Sequence, residues 1–91
     1  MEFEWDETKR LLNLAKHKVD FVDASSFWES QRVEAIDDRR DYQEERRVCY
    51  GQLQNRTMAL VYTKRMSVIR VISFRKANAK EGVEYEKAIY K

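Results

Sequence analysis

The chain has 91 residues, 37% of them charged and 43% hydrophobic, with one cysteine, one histidine and a formal net charge of +2. That length holds one modest core and excludes several domains, and the balance of apolar and charged residues excludes a disordered chain. No apolar run approaches the roughly 18 to 20 residues that span a bilayer, and the acidic start Met1-Glu2-Phe3-Glu4 lacks a basic signal region, so a single cytoplasmic domain, residues 1–91, is expected.

In chain order, Glu2-Phe3-Glu4-Trp5 alternates polar and apolar side chains and predicts a short first strand. Asp6 ends it and caps a helix of about Glu7 to Lys16, because its carboxylate accepts the orphan amide hydrogens of the first turn. Leu11, Leu12, Leu14 and Ala15 follow as one apolar stripe. Lys16 and His17 fall toward the C-terminal end, where positive charge suits the helix dipole. Asp20 caps a second helix from Phe21 to near Glu29, and the short link around His17-Lys18-Val19 makes the pair an αα-hairpin.

A short strand at Arg32 to Ile36 precedes the charged tract Asp37 to Glu45, which reads as an exposed loop. Three strands follow, Arg46 to Leu53, Thr57 to Lys64 and Ser67 to Arg75, joined by links of hairpin length and therefore an antiparallel meander. Lys76 to Tyr90 closes the chain as a helix. The order β-α-α-β-β-β-β-α predicts an α+β domain in which the first two helices cover one face of an antiparallel sheet. The other face stays partly open unless the last helix covers it.

The run Val68-Ile69-Arg70-Val71-Ile72-Ser73-Phe74-Arg75-Lys76-Ala77 is the most strongly β-forming stretch. An arginine cannot lose its proton, so one placed in an apolar strand needs a carboxylate or an anionic ligand to offset its desolvation. In a regular strand Arg70 and Arg75 point to opposite faces, and they share a face only if the strand ends or bulges near Phe74. Charge is also segregated along the chain. Residues 1–45 carry −6, residues 46–63 carry +3 and residues 64–91 carry +5. A polarised molecule of this kind presents a basic face to a polyanion, or is simply a solvated mixed surface.

His17, the single histidine, titrates near neutral pH and suits proton transfer, although a histidine at a helix C-terminus also serves merely to complement the dipole. Arg70 and Arg75 suit bidentate phosphate binding, or structural salt bridges to residues such as Glu81 and Glu84. Neither is asked to fill the core, so their loss is expected to leave the fold intact. Arg46 and Arg47 open a strand and can be edge charges. Tyr85 follows Glu81 by one helical turn and suits half-buried packing as well as proton donation. Cys49 reads as a small core residue, and one Cys with one His builds neither a disulfide nor a structural zinc site, so no metal and no cofactor are expected. This set fits metal-free RNA cleavage. There the 2′-hydroxyl of the RNA is the nucleophile, and the protein need only move protons and stabilise charge on the phosphate.

Several of these residues also form a recognisable pattern. Phe3-Glu4-Trp5-Asp6, Lys9, Asn13, Lys16-His17, Val19, Phe21, Ala24, Asp38-Arg39, Glu45-Arg46 and Gly51 lead to Ile69-Arg70-Val71-Ile72-Ser73-Phe74-Arg75-Lys76-Ala77, with Glu81 and Tyr85. In that order and spacing, over nearly the whole chain, the sequence resembles the BrnT family of toxins.

The resemblance implies a type II toxin with a RelE-like fold, a ribonuclease that halts translation. It implies neutralisation by a BrnA-type antitoxin that binds operator DNA, and hence a hetero-oligomer with that partner. Carried over by position, Lys16, His17, Arg70, Arg75 and Tyr85 are the expected catalytic residues, and Arg46, Arg47, Ser73 and Lys76 the expected RNA contacts. Two positions depart from the family pattern: Lys18 replaces a usual Gly and Phe74 a usual small residue. The competing readings are a non-catalytic binding module acting in a DNA-bound repressor complex and a stand-alone RNA-binding domain, and RNA cleavage by the isolated chain separates them.

Overall fold

In the computed structural model, which describes residues 1–90, strand β1 (Glu2–Glu4) leads into helix α1 (Glu7–His17). A 3-10 turn (Phe21–Asp23) runs directly into the short helix α2 (Ala24–Trp28). Strands β2 (Val33–Ile36), β3 (Arg47–Leu53), β4 (Arg56–Arg65) and β5 (Val68–Lys76) follow, then helix α3 (Ala79–Ile89). The class is α+β, with one five-stranded sheet in the order β1-β5-β4-β3-β2.

From β2 to β5 the sheet is the expected antiparallel meander. β1 departs from expectation by pairing parallel to β5, with Phe3 opposite Ile69, so the sheet is mixed. No turn links these two strands, and a pairing between distant segments leaves no local trace in the sequence. The β3–β4 turn places Gln54 and Asn55 at φ 51° and 65°, two left-handed residues that match the twist of the flanking strands.

Asp6 caps α1 as its sequence predicts, its Oδ1 accepting from the Lys9 N–H at 3.0 Å. The helix ends at Lys18, which is left-handed (φ 61°, ψ 27°) and whose N–H reaches the Leu14 carbonyl at 2.9 Å. A side chain there costs about 1 kcal/mol relative to glycine. The predicted second helix is shorter than expected. Asp20 does cap it, but its carboxylate binds the Val22 N–H only two residues on, which tightens the first turn to 3-10 and leaves five α-helical residues. Helix α3 starts at Ala79 rather than Lys76. Asn78 and Glu81 form a reciprocal capping box there, and β5 continues through Lys76.

The core lies between the sheet and the segment Phe21–Trp28. Phe21, Phe27, Phe74, Leu60 and Cys49 are fully buried, with Phe27 and Phe74 edge to face at 5.2 Å. Gly51 lies under Phe27: a Cβ there would stand 2.7 Å from Ser30 Oγ and 3.0 Å from the Phe27 ring. The α1 stripe does not pack as predicted. Leu11 and Leu12 are more than half exposed, while Asn13 is buried. The Asn13 Nδ2 donates to the carbonyls of Phe74 (2.7 Å) and Val19 (3.0 Å), and its Oδ1 accepts from the Phe74 N–H (3.2 Å). Beyond the end of β1, this side-chain amide takes the place of a neighbouring strand along β5.

That contact falls beside an irregularity. Val61 pairs with Ser73 but Tyr62 pairs with Val71, so Ile72 is an extra residue on β5, a β-bulge. Ile69, Val71 and Phe74 thereby all face the core. The alternation then puts Arg70, Ser73 and Arg75 on the opposite face, which is the condition the sequence set for the two arginines.

Candidate active site

Two cross-strand rows floor this second face: Tyr50, Ala59 and Arg75, then Val48, Val61 and Ser73. Three segments wall it. The end of α1 brings Lys16 and His17, the start of α3 brings Glu81, and the turn after β2 brings Asp37 and Arg39. The enclosed cleft has a volume of about 460 Å³.

Arg75 is gripped by Glu81 in a bidentate pair, Nη1 to Oε1 at 2.8 Å and Nη2 to Oε2 at 2.9 Å, with side chains 30% and 19% exposed. The Tyr50 hydroxyl donates to the same carboxylate at 3.2 Å. The Arg75 hydrogen bonds, partly opposed by burial, hold the Glu81 carboxyl at about 2. Burial and the Glu81 charge raise the Tyr50 phenol, which therefore stays protonated. Across the cleft, burial and the positive charges of Lys16 and Arg75 lower the His17 imidazole below its ordinary 6.5. His17 is accordingly neutral near pH 7 and able to accept a proton. Asp37 is buried rather than part of an exposed loop, and its carboxyl is held at about 2, chiefly by hydrogen bonds from Arg39 at 2.8 Å.

The cleft thus collects Lys16, His17, Ser73 and Arg75 from the sequence-predicted set. Arg70, although on the same face, lies outside the cleft lining and is bound to Glu4 at 2.6 Å on the neighbouring strand. Tyr85 is 2% exposed and donates to the Gln31 carbonyl at 2.7 Å, a packing position away from the cleft. Arg46 stacks on Tyr42 with its Cζ 4.0 Å from the ring centroid, and its Nε stands 3.5 Å from Glu44 Oε1, too poorly aligned for a hydrogen bond. Arg47 pairs with Glu34 and Glu45 in a separate cavity of about 500 Å³, where carboxylates match the cations. Lys76 points to the core side of the sheet, in register with Met58. Cys49 is fully buried and its thiol is pushed up to about 11, which leaves it inert.

Tyr50 and Asp37 are cleft residues that sequence reasoning missed, and Arg39 entered it only as part of the family pattern, with no role at the site. The alternation Val48, Tyr50, Gln52 on β3 carried a signal for Tyr50, since it places that side chain opposite the core-facing Cys49. Asp37 has its side-chain partners nearby in Arg39 and Tyr42, but its burial comes with the folding back of the loop, where its N–H reaches the Arg46 carbonyl at 2.7 Å.

Chemically, the cleft offers an imidazole in His17, a guanidinium in Arg75 that the Glu81 carboxylate already holds by two hydrogen bonds, and a lysine and a phenol in Lys16 and Tyr50. Lys16 and Arg75 both line the cleft. Among the described residues no three His, Cys, Asp or Glu side chains are grouped to hold a metal ion. No helix of the described chain is long and apolar enough to cross a membrane.

Comparison with curated proteins finds no match. A family model described as the ribonuclease toxin BrnT of type II toxin-antitoxin systems matches residues 5–81, a span that contains every residue lining the cleft. Membership implies an antitoxin protein as partner. The chain belongs to the BrnT family, the ribonuclease toxins of type II toxin-antitoxin systems.

Proposed function

We propose that the chain acts as a single-domain, metal-independent endoribonuclease with a RelE-like fold, cutting RNA in the cytoplasm and so inhibiting translation. A BrnA-type, DNA-binding antitoxin neutralises it in a hetero-oligomer. The observation that carries this reading is the meeting of His17 with Arg75 and Lys16 in one cleft.

In this mechanism the RNA 2′-oxygen forms a bond to phosphorus as the bond to the 5′-oxygen breaks. His17 takes the proton from the 2′-hydroxyl, and Arg75 stabilises the charge that builds on the phosphate oxygens. Lys16 or the Tyr50 hydroxyl returns a proton to the departing 5′-oxygen. The products are a 2′,3′-cyclic phosphate and a 5′-hydroxyl. One proton-transfer group supplies roughly 10² to 10⁴ in rate, and one well-placed donor to the developing charge about 3 kcal/mol. Ser73 contacts the substrate backbone from the cleft floor. The arginine's pairing with Glu81 favours a second reading, a binding module whose cation is permanently neutralised. Purified chain incubated with RNA in excess chelator separates the two: 2′,3′-cyclic ends support the nuclease, and intact RNA supports the module.

A further inference from the structure

We propose that a recess on the reverse side of β5, where Lys18, Arg56 and Lys76 converge, holds a phosphate of the RNA strand outside the scissile site. The inference rests on the ribonuclease reading and adds to it a second contact point for the same strand.

The recess encloses about 330 Å³ between the end of α1, the β3–β4 hairpin and the end of β5. Asp23 is its single carboxylate. None of the three cations makes an ion pair among the described residues, whereas every arginine of the sheet except Arg56 has a carboxylate partner. Neither the cleft nor the cavity lined by Glu34, Glu44 and Glu45 gathers three unpaired cations. Arg47 and Arg65 are matched by glutamates in theirs, and Arg75 and Arg39 are matched in the cleft. Three exposed cations against one carboxylate leave the concavity net positive, and an anion is drawn to it.

Position ties the recess to the cleft. Lys18 follows His17 directly and Lys76 follows Arg75 directly, and the alternation of β5 sends Arg75 to one face and Lys76 to the other. A strand leaving the cleft past the end of α1 therefore meets the recess next. Lys18 is notable for its backbone too. It occupies a left-handed position that glycine fills without strain, and there its Nζ is anchored to the Ala15 carbonyl at 3.1 Å with further donors free for a ligand.

The test is fluorescence anisotropy with a fully 2′-O-methylated single strand, which lacks the nucleophile and stays intact, across a salt series. The variants are Lys18→Gly, Arg56→Gln and the triple Lys18→Gly/Arg56→Gln/Lys76→Gln. Lys18→Gly relieves the left-handed strain, so it should melt no lower than the parent while binding RNA more weakly. The triple variant should lose roughly 5- to 20-fold in affinity, with the log-log salt slope shallower by about 0.7, the signature of one lost single-strand phosphate contact. Affinity and slope equal to the parent's in folded variants overturn the recess alone. A triple variant that binds RNA normally but releases the antitoxin also overturns it, marking the recess as a protein interface. A parent that neither binds nor cleaves RNA removes the ribonuclease reading and this inference with it.

Discussion

Arg75 and Glu81 lock each other through two parallel hydrogen bonds at 2.8 and 2.9 Å, joining the end of β5 to the first turn of α3 at the edge of the cleft. The arginine is therefore a structural partner as well as part of the cleft lining, and its loss is expected to lower stability rather than leave the fold untouched. Arg75→Ala strands a partly buried carboxylate and should cost about 1–3 kcal/mol in urea unfolding, as should Glu81→Ala in the reverse sense. The double variant should recover part of that loss. A double-mutant cycle with no coupling would show that the pair carries no stability.

Acid stability follows from the same carboxylate and from Asp37, both held at about 2 against ordinary values of 4.5 and 3.8. A folded pKa below the unfolded one means stabilisation that is complete above the unfolded value and is lost as pH falls through the folded one. Each group should contribute roughly 2–3 kcal/mol at neutral pH, lost progressively from about pH 5 down to pH 2. Unfolding free energies measured across that range should flatten in Glu81→Gln and in Asp37→Asn.

Asn13 joins three backbone groups that no strand satisfies, two on Phe74 and one on Val19. Asn13→Ala should cost about 2–4 kcal/mol, because it leaves buried donors and acceptors unpaired. It should also lower cleavage in the surviving folded protein, since the α1 end that carries His17 loses its tie to β5. A variant with parental melting and parental rate would show that other contacts set this geometry.

The elements written in local periodicity were legible in the sequence. The meander, the Asp6 cap, the burial of Cys49 and the condition that β5 end or bulge near Phe74 for its two arginines to share a face all follow from neighbours within a few residues. What was not legible depends on distant partners. The parallel β1 pairing, the burial of Asn13 in place of Leu11 and Leu12, and the folding back of Asp37 each need a second segment before they have any energy. The site divides in the same way. Lys16, His17, Ser73 and Arg75 come together because α1 ends beside the bulge, whereas Arg70 finds Glu4 on a strand that sequence did not place next to it.

Arg70 gives a sharp contrast with Arg75. Arg70→Ala should change the cleavage rate by less than about threefold and stability by less than about 1 kcal/mol, because its partly exposed partner Glu4 can rehydrate. Arg75→Lys keeps the charge but not the planar fork, and should lose at least about tenfold in rate. Equal losses at both positions, measured as initial rates on one RNA, would return Arg70 to the site.

The most direct measurement is the pH dependence of RNA cleavage in excess chelator, for the parent and for His17→Ala. Burial, Lys16 and Arg75 lower the His17 pKa, so the parent's rate should rise with pH along a limb centred below 6.5 and then level off. His17→Ala should be slower by roughly 10² to 10⁴ and should lack that limb. Cleavage that stops in chelator and returns with a divalent ion, or a His17→Ala profile identical to the parent's, would contradict proton transfer by His17 in a metal-independent reaction.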